Sequence, residues 1–276
     1  MPVHRGVMSL ARSFLYVPGD RPDRLLKAFA SAADAVIVDL EDAVKHGAKP
    51  AARETVREIA ADRPGSAELW VRINSGDEGL VDLQALDGMT HIDGIVLAKC
   101  ESTAWLDRVV DVVRHDVALS PLIETARALR DLDQVAAHPR VSRCHLGEVD
   151  LMADLGGRLP GGRGLLDAAR VSLVVASAAA GIDPPVGGVH LELDDLDGLG
   201  ASSATLADLG FGGRAIVHPS HCPAVNRSFT PSDAELAWAA DVLARWSSTA
   251  AGALRAADGS MIDEAVVRRA RRLTGT

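Results

Sequence analysis

The sequence predicts an α/β fold, a (β/α)8 barrel of TIM-barrel type with a C-terminal helical extension. Three observations predict it. Eight short apolar runs alternate with amphipathic stretches along 276 residues. Apolar residues make up 47% of the chain and aromatic ones only 3%, so Val, Leu, Ile and Ala must fill the core, as in the interior of parallel sheets. Nearly every apolar run ends in ionisable or hydrogen-bonding groups. Alternating strand and helix implies parallel pairing through right-handed crossovers, and eight repeats can close into a barrel. A doubly wound open sheet is the alternative that a strand count alone leaves open.

The first four strand-like runs span residues 14–17, 35–40, 69–73 and 94–98, and 118–123, 144–149, 189–193 and 214–217 complete the eight. Between them, residues 21–32, 48–61, 102–113, 125–137 and 164–180 carry apolar side chains at helical spacing. The barrel is expected over residues 1–230. Residues 231–276 form the extension: an amphipathic helix over 231–246 that Thr230 or Ser232 could cap, a glycine-bearing stretch over 250–260, and a short helix over 263–273. So short a tail is expected to lack its own core and to pack on the barrel or on a neighbouring subunit.

A net charge of −9, with no basic block beyond Arg268, Arg269, Arg271 and Arg272, argues against a nucleic-acid partner. Cys100, Cys144 and Cys222 are far apart and odd in number, which fits a reducing compartment. His4, Arg5 and Arg12 interrupt the N-terminal run, and no apolar run reaches membrane length, so a cytoplasmic protein without a membrane partner is expected.

In a parallel barrel the strand ends share one rim, so residues far apart in sequence converge there. Asp39, Glu41 and Asp42 follow Ala-Val-Ile-Val; three crowded carboxylates need cations, basic groups or solvent, unless they serve a helix N-terminus. Glu124 and Asp150 end two different runs, and hard oxygen ligands from two strands suit Mg²⁺. The competing readings are a helix cap at Glu124 and an arginine-paired rim carboxylate at Asp150. Arg72, flanked by apolar residues, needs an anion, either a substrate carboxylate or one of the acids at 39–42. Lys99 has the same two readings, besides solvated surface. His218 reads as a strand-end hydrogen-bonding residue, because the run His218-Pro219-Ser220-His221-Cys222 lacks the ligands of a closed zinc site. The glycine-rich run 156–164 lacks a phosphate-loop ending and reads as a rim loop with two cations able to cover a substrate.

Several segments then carry a resemblance. They are Arg12-Ser13-Phe14-Leu15-Tyr16-Val17-Pro18-Gly19, Asp39 to Val44 with Lys49 and Ala52-Arg53, Val71 to Asn74, and Ile123 to Ala126. Asp150-Leu151 with Asp154 to Gly156, Gly210-Phe211, Val217 to Ser220, and Phe229 to Ser232 continue it. Over about residues 12–264 the chain resembles the citrate lyase β-subunit-like branch of the HpcH/HpaI aldolase group, which includes malyl-CoA and citramalyl-CoA lyases. The resemblance implies a homotrimeric barrel with Mg²⁺ held by Glu124 and Asp150. Arg72 would hold the acid fragment, and Asp263 of a neighbouring subunit would be the acid/base. The candidate set is therefore Asp263, Arg72 and Glu41 for catalysis, Arg72, Asp42, Lys99 and His218 for an acyl-CoA or hydroxy- or keto-acid substrate, and Glu124 and Asp150 for the metal. The implied activity is carbon–carbon cleavage of a 3-hydroxyacyl-CoA thioester. A citrate lyase subunit acting on a carrier-bound thioester, or a weakened CoA- or keto-acid-binding protein, are its rivals. The chain departs from the group's pattern at Val149, Ala98, His221 and Glu264, of which Val149 replaces a glutamate beside the expected metal ligand.

Overall fold

The computed structural model describes residues 10–113, 116–158, 160–248, 253–256 and 259–275. The N-terminal run 1–9 and parts of the stretch 250–260 lie outside the described residues. The chain forms two compact units, Leu10–Phe229 and a tail from Thr230.

In the first unit eight parallel strands close into a barrel. They are β1 (Ser13–Pro18), β2 (Ala35–Asp39), β3 (Glu68–Ile73), β4 (Gly94–Leu97), β5 (Ala118–Ile123), β6 (His145–Leu146), β7 (Val186–Gly187) and β8 (Gly213–Ile216). The closing pair is β1 with β8. Helices α1 (Pro22–Phe29), α2 (Lys49–Ala61), α3 (Gly76–Ala85), α4 (Thr103–Val112), α5 (Ala126–Arg130) and α6 (Leu132–Ala136) follow the first five strands. Helices α7 (Glu148–Asp154), α8 (Arg163–Ala180), α9 (Leu196–Leu209) and α10 (Cys222–Ser228) follow the last three.

All five residues of β2 are buried, as expected of a strand covered on both faces. Side chains alternate between two shells. Val36, Val38, Leu69, Val71, Ile95 and Leu119 face the helices. Phe14, Ile37, Trp70, Val96, Leu122 and Val186 fill the barrel interior. Gly94 lies opposite Trp70 in register, and a Cβ there would sit 2.2 Å from the indole, so only glycine lets that large ring lie across the interior. Trp70 meets Phe14 edge-on at 5.6 Å, and Phe14 meets His145 at 5.0 Å. Burial holds the His145 imidazole pKa well below its usual range.

Two strand expectations are corrected. Residues 144–149 hold only a two-residue strand, after which the chain turns into α7 at Glu148. The seventh strand is Val186–Gly187, whereas 189–193 runs outside any strand with Leu191 and Leu193 exposed. That segment alternates apolar and polar residues, a pattern of half-exposed strands, while barrel strands are covered on both sides. The stretch 125–137 is two short helices that break at Asp131.

The tail unit holds α11 (Asp233–Ser247), a small antiparallel hairpin of β9 (Ala253–Arg255) and β10 (Met261–Asp263), and α12 (Glu264–Thr274). Ser232 caps α11 in a capping box with Glu235. Contrary to expectation, the tail has a core of its own. Ala239, Val242, Ile262, Val267 and Ala270 are buried together, because small residues on α11 and α12 allow close approach and the hairpin inserts Ile262. No described helix is long and apolar enough to cross a membrane, and Cys100, Cys144 and Cys222 are all free and buried.

Candidate active site

Register builds the first half of the barrel mouth. Asp39 ends β2 directly opposite Arg72 of β3. The guanidinium grips the carboxylate as a fork, Nε to Oδ1 at 2.7 Å and Nη2 to Oδ2 at 2.6 Å. Asp39 also accepts from the backbone N–H groups of Glu41 and Ala43, at 2.9 and 3.0 Å. Arg72 Nη1 lies 3.1 Å from Glu41 Oε2, and the guanidinium sits 5.1 Å from the centroid of the Tyr16 ring. These contacts engage at most three of its five N–H groups, leaving donors for another anion.

Behind this half lies a buried support. Lys49 Nζ donates to the Leu40 carbonyl at 3.0 Å and bonds Asn74 Oδ1. Asn74 Nδ2 donates to the same carbonyl and to Asp82 Oδ2, which Arg53 balances through Oδ1. The acidic turn 39–42 is therefore fixed by a hydrogen-bonded frame. Glu41 is buried and ion-paired to Lys99, and burial pushes its carboxyl pKa above the usual range despite Arg72 and Lys99. Asp42 is exposed, 3.5 Å from Lys99 Nζ.

The second half is built from β4, β5 and α7. Glu124, the residue after β5, is 1% exposed. Its Oε1 accepts the Lys99 backbone N–H at 2.7 Å, while its Oε2 is buried without a partner among the described residues. Burial pushes the Glu124 carboxyl up to about 7. Gly147, the N-cap of α7, lies against this carboxylate: a Cβ there would meet Oε2 at 2.9 Å. Glu124 does not cap the helix that follows, since Thr125 does so through its side chain. Asp150 is exposed in the first turn of α7, and its expected place at a strand end is corrected by the early end of β6. Glu148, inside the run 144–149 expected as a strand, instead begins α7 and is forked by Arg170 at 2.8 Å through both oxygens.

His218 follows β8, as expected, but its exposed ring turns to Ser220 Oγ at 2.7 Å. Asp263 lies in the tail unit, where Oδ1 caps α12 by accepting from Ala265 and Val266 at 2.9 and 3.0 Å. The structure thus brings Arg72, Glu41, Asp42, Lys99 and Glu124 into one linked cluster. Residue-by-residue reading of the sequence missed the roles of Tyr16 and of Lys49 and Asp82. Inward alternation along β1 could have pointed to Tyr16; nothing local marks Asp82.

Among the described residues no group of three or more His, Cys, Asp or Glu side chains could hold a metal. A hard cation with most positions left to water or substrate still fits Glu124 and the first turn of α7: a buried carboxylate oxygen is without a partner, and a glycine keeps the space beside it open.

A closed parallel barrel with a forked arginine and an under-coordinated buried carboxylate at its C-terminal mouth has the layout of a β/α-barrel enzyme site. The chain belongs to the HpcH/HpaI aldolase/citrate lyase family, whose model matches residues 12–219. It is 37% identical over 261 residues to a citrate lyase subunit beta-like protein of Mycobacterium tuberculosis, covering 92% of this chain and 91% of the relative. It is 36% identical over 229 residues to a (3S)-malyl-CoA thioesterase of Cereibacter sphaeroides, covering 82% and 79%. The crystal structure of CitE from Mycobacterium tuberculosis with magnesium, acetoacetate and coenzyme A superposes with a TM-score of 0.78 at 32% identity, covering 97% of this chain and 98% of that one.

Proposed function

We propose that this chain is a magnesium-dependent carbon–carbon lyase that cleaves a 3-hydroxyacyl-CoA thioester of malyl, citramalyl or citryl type. The observation that carries the proposal is the buried, partnerless Oε2 of Glu124 beside an anion-gripping arginine. The CitE relative crystallised with magnesium, a keto acid and coenzyme A supports it. Glu124 and Asp150 would hold the cation, which supplies Lewis-acid polarisation of the oxygen that becomes a carbonyl.

The chain's own groups account for the rest. The free N–H groups of Arg72 bind the carboxylate of the hydroxy acid, and the Asp39 fork fixes their direction. As the carbon–carbon bond breaks, the hydroxyl proton passes to Asp263 of a neighbouring subunit, an oxo acid separates, and the electron pair passes to the thioester as an enolate. The enolate takes up one proton. Asp263 of a neighbouring subunit in a homotrimer is the assigned donor; its Oδ1 is engaged as a cap, and Oδ2 accepts no hydrogen bond from the described residues. Asp42 and His218 would line the approach for the acyl-CoA.

A second reading is hydrolysis of the same thioester, favoured by the 36% identity to a malyl-CoA thioesterase. A panel of malyl-, citramalyl- and citryl-CoA, assayed with and without Mg²⁺, tests both. Oxo acid released with a shortened acyl-CoA supports the lyase, and free CoA without oxo acid supports the thioesterase. Tight binding of Mg²⁺ and oxaloacetate without turnover of any substrate would leave a binding protein.

A further inference from the structure

Lys99 is the only residue other than glycine with a positive φ among the described residues, at 49°. A side chain in this left-handed region is strained, and such strain persists only where the surroundings hold it. Here the surroundings are three carboxylates. The Lys99 backbone N–H donates to Glu124 Oε1 at 2.7 Å, and its ammonium pairs with Glu41 and approaches Asp42. The next residue, Cys100, is fully buried in the packing outside the barrel. Rotating φ to a negative value would swing either the N–H off Glu124 or Cys100 out of that packing. The left-handed turn satisfies both and also sends the side chain towards Glu41.

One consequence concerns Glu124. Because the backbone occupies Oε1, only Oε2 is left without a partner, and the two oxygens are inequivalent before any ligand arrives. A second consequence concerns Glu41, whose Oε1 takes the ammonium while Oε2 faces Arg72 Nη1. A single strained residue thus touches the carboxylates of both halves of the mouth.

We propose that Lys99 is a positioning residue and not a substrate contact: its left-handed backbone orients Glu124 while its ammonium orients Glu41. For the meaning of Glu124 this rests on the lyase reading above. The test compares Lys99→Gly, Lys99→Met and the unaltered protein by calorimetry with Mg²⁺ alone and by steady-state kinetics. Lys99→Gly keeps the turn and the backbone donor, so its Mg²⁺ affinity stays within about threefold of the parent, whereas Lys99→Met loses about fivefold through strain no longer held by an ion pair. In both, kcat falls by about tenfold or more while KM moves less than about threefold, because the lost ammonium acts through Glu41. A raised KM with unchanged kcat would overturn the proposal by making Lys99 a substrate contact; equal loss of Mg²⁺ affinity in both variants would overturn the backbone role. If the unaltered protein itself gives no Mg²⁺ heat, the metal reading fails, and melting of the metal-free variants still decides the turn. Lys99→Gly should then melt about 2–4 °C above Lys99→Met. An equal or reversed order would overturn the proposal.

Discussion

The two halves of the barrel mouth solve opposite problems. On the side of β2 and β3, every carboxylate is answered: Asp39 by a guanidinium fork and two backbone donors, Asp82 by Arg53 and Asn74, Glu41 by Arg72 and Lys99. On the side of β5 and α7, Glu124 keeps a buried oxygen without a partner and Asp150 stands exposed. The first half is finished in the folded chain and can be rigid before substrate arrives. The second keeps a buried oxygen open to a ligand, the pattern expected where function is set against stability.

Removing a charge from each half should therefore have opposite effects on stability. Arg72→Met strands Asp39 as a buried carboxylate, so denaturant unfolding should show a loss of about 3–5 kcal/mol together with near-complete loss of turnover. Unchanged stability would mean that the fork is not structural. Glu124→Gln removes a buried acid instead. Turnover should fall by about a hundredfold or more, yet the metal-free protein at pH 8 should be as stable as the parent or more stable.

The pH dependence sharpens the same contrast. Burial raises the Glu124 pKa from 4.5 to about 7 in the folded state. A carboxyl raised in this way favours folding most when it is protonated, so its contribution is full below about 4.5 and is lost as pH climbs to about 7. The loss is at most about 3 kcal/mol. Denaturation curves of the metal-free parent and of Glu124→Gln should converge at the acid end, diverge between about pH 4.5 and 7, and stay apart up to about pH 8. Parallel curves would contradict the burial argument. The smallest effect is expected at Val149, which is exposed beside Asp150. Val149→Glu should change stability by less than about 0.5 kcal/mol, while calorimetry finds Mg²⁺ bound about threefold more tightly.

Much of the first half was legible in the sequence. An arginine between apolar neighbours had to meet an anion, and the acids at 39–42 were the nearest by strand order; register supplied the rest. Glu124 was legible as a strand-end acid because β5 is a full six-residue apolar strand. The neighbouring elements were not. With β6 and β7 only two residues each, no periodicity reveals them, and Asp150 and Glu148 passed for strand residues although both belong to α7. The left-handed turn at Lys99 has no sequence signal either, since glycine or asparagine would ordinarily mark it. The independent core of the tail was hidden because its buried residues are small and come from three separate elements.

A titration of Mg²⁺ into the metal-free protein, run beside Glu124→Gln at pH 8, addresses the unfinished half most directly. One saturable site in the parent that vanishes in the variant is the expected result. An isotherm unaltered by the substitution would mean that the vacant oxygen of Glu124 holds no cation.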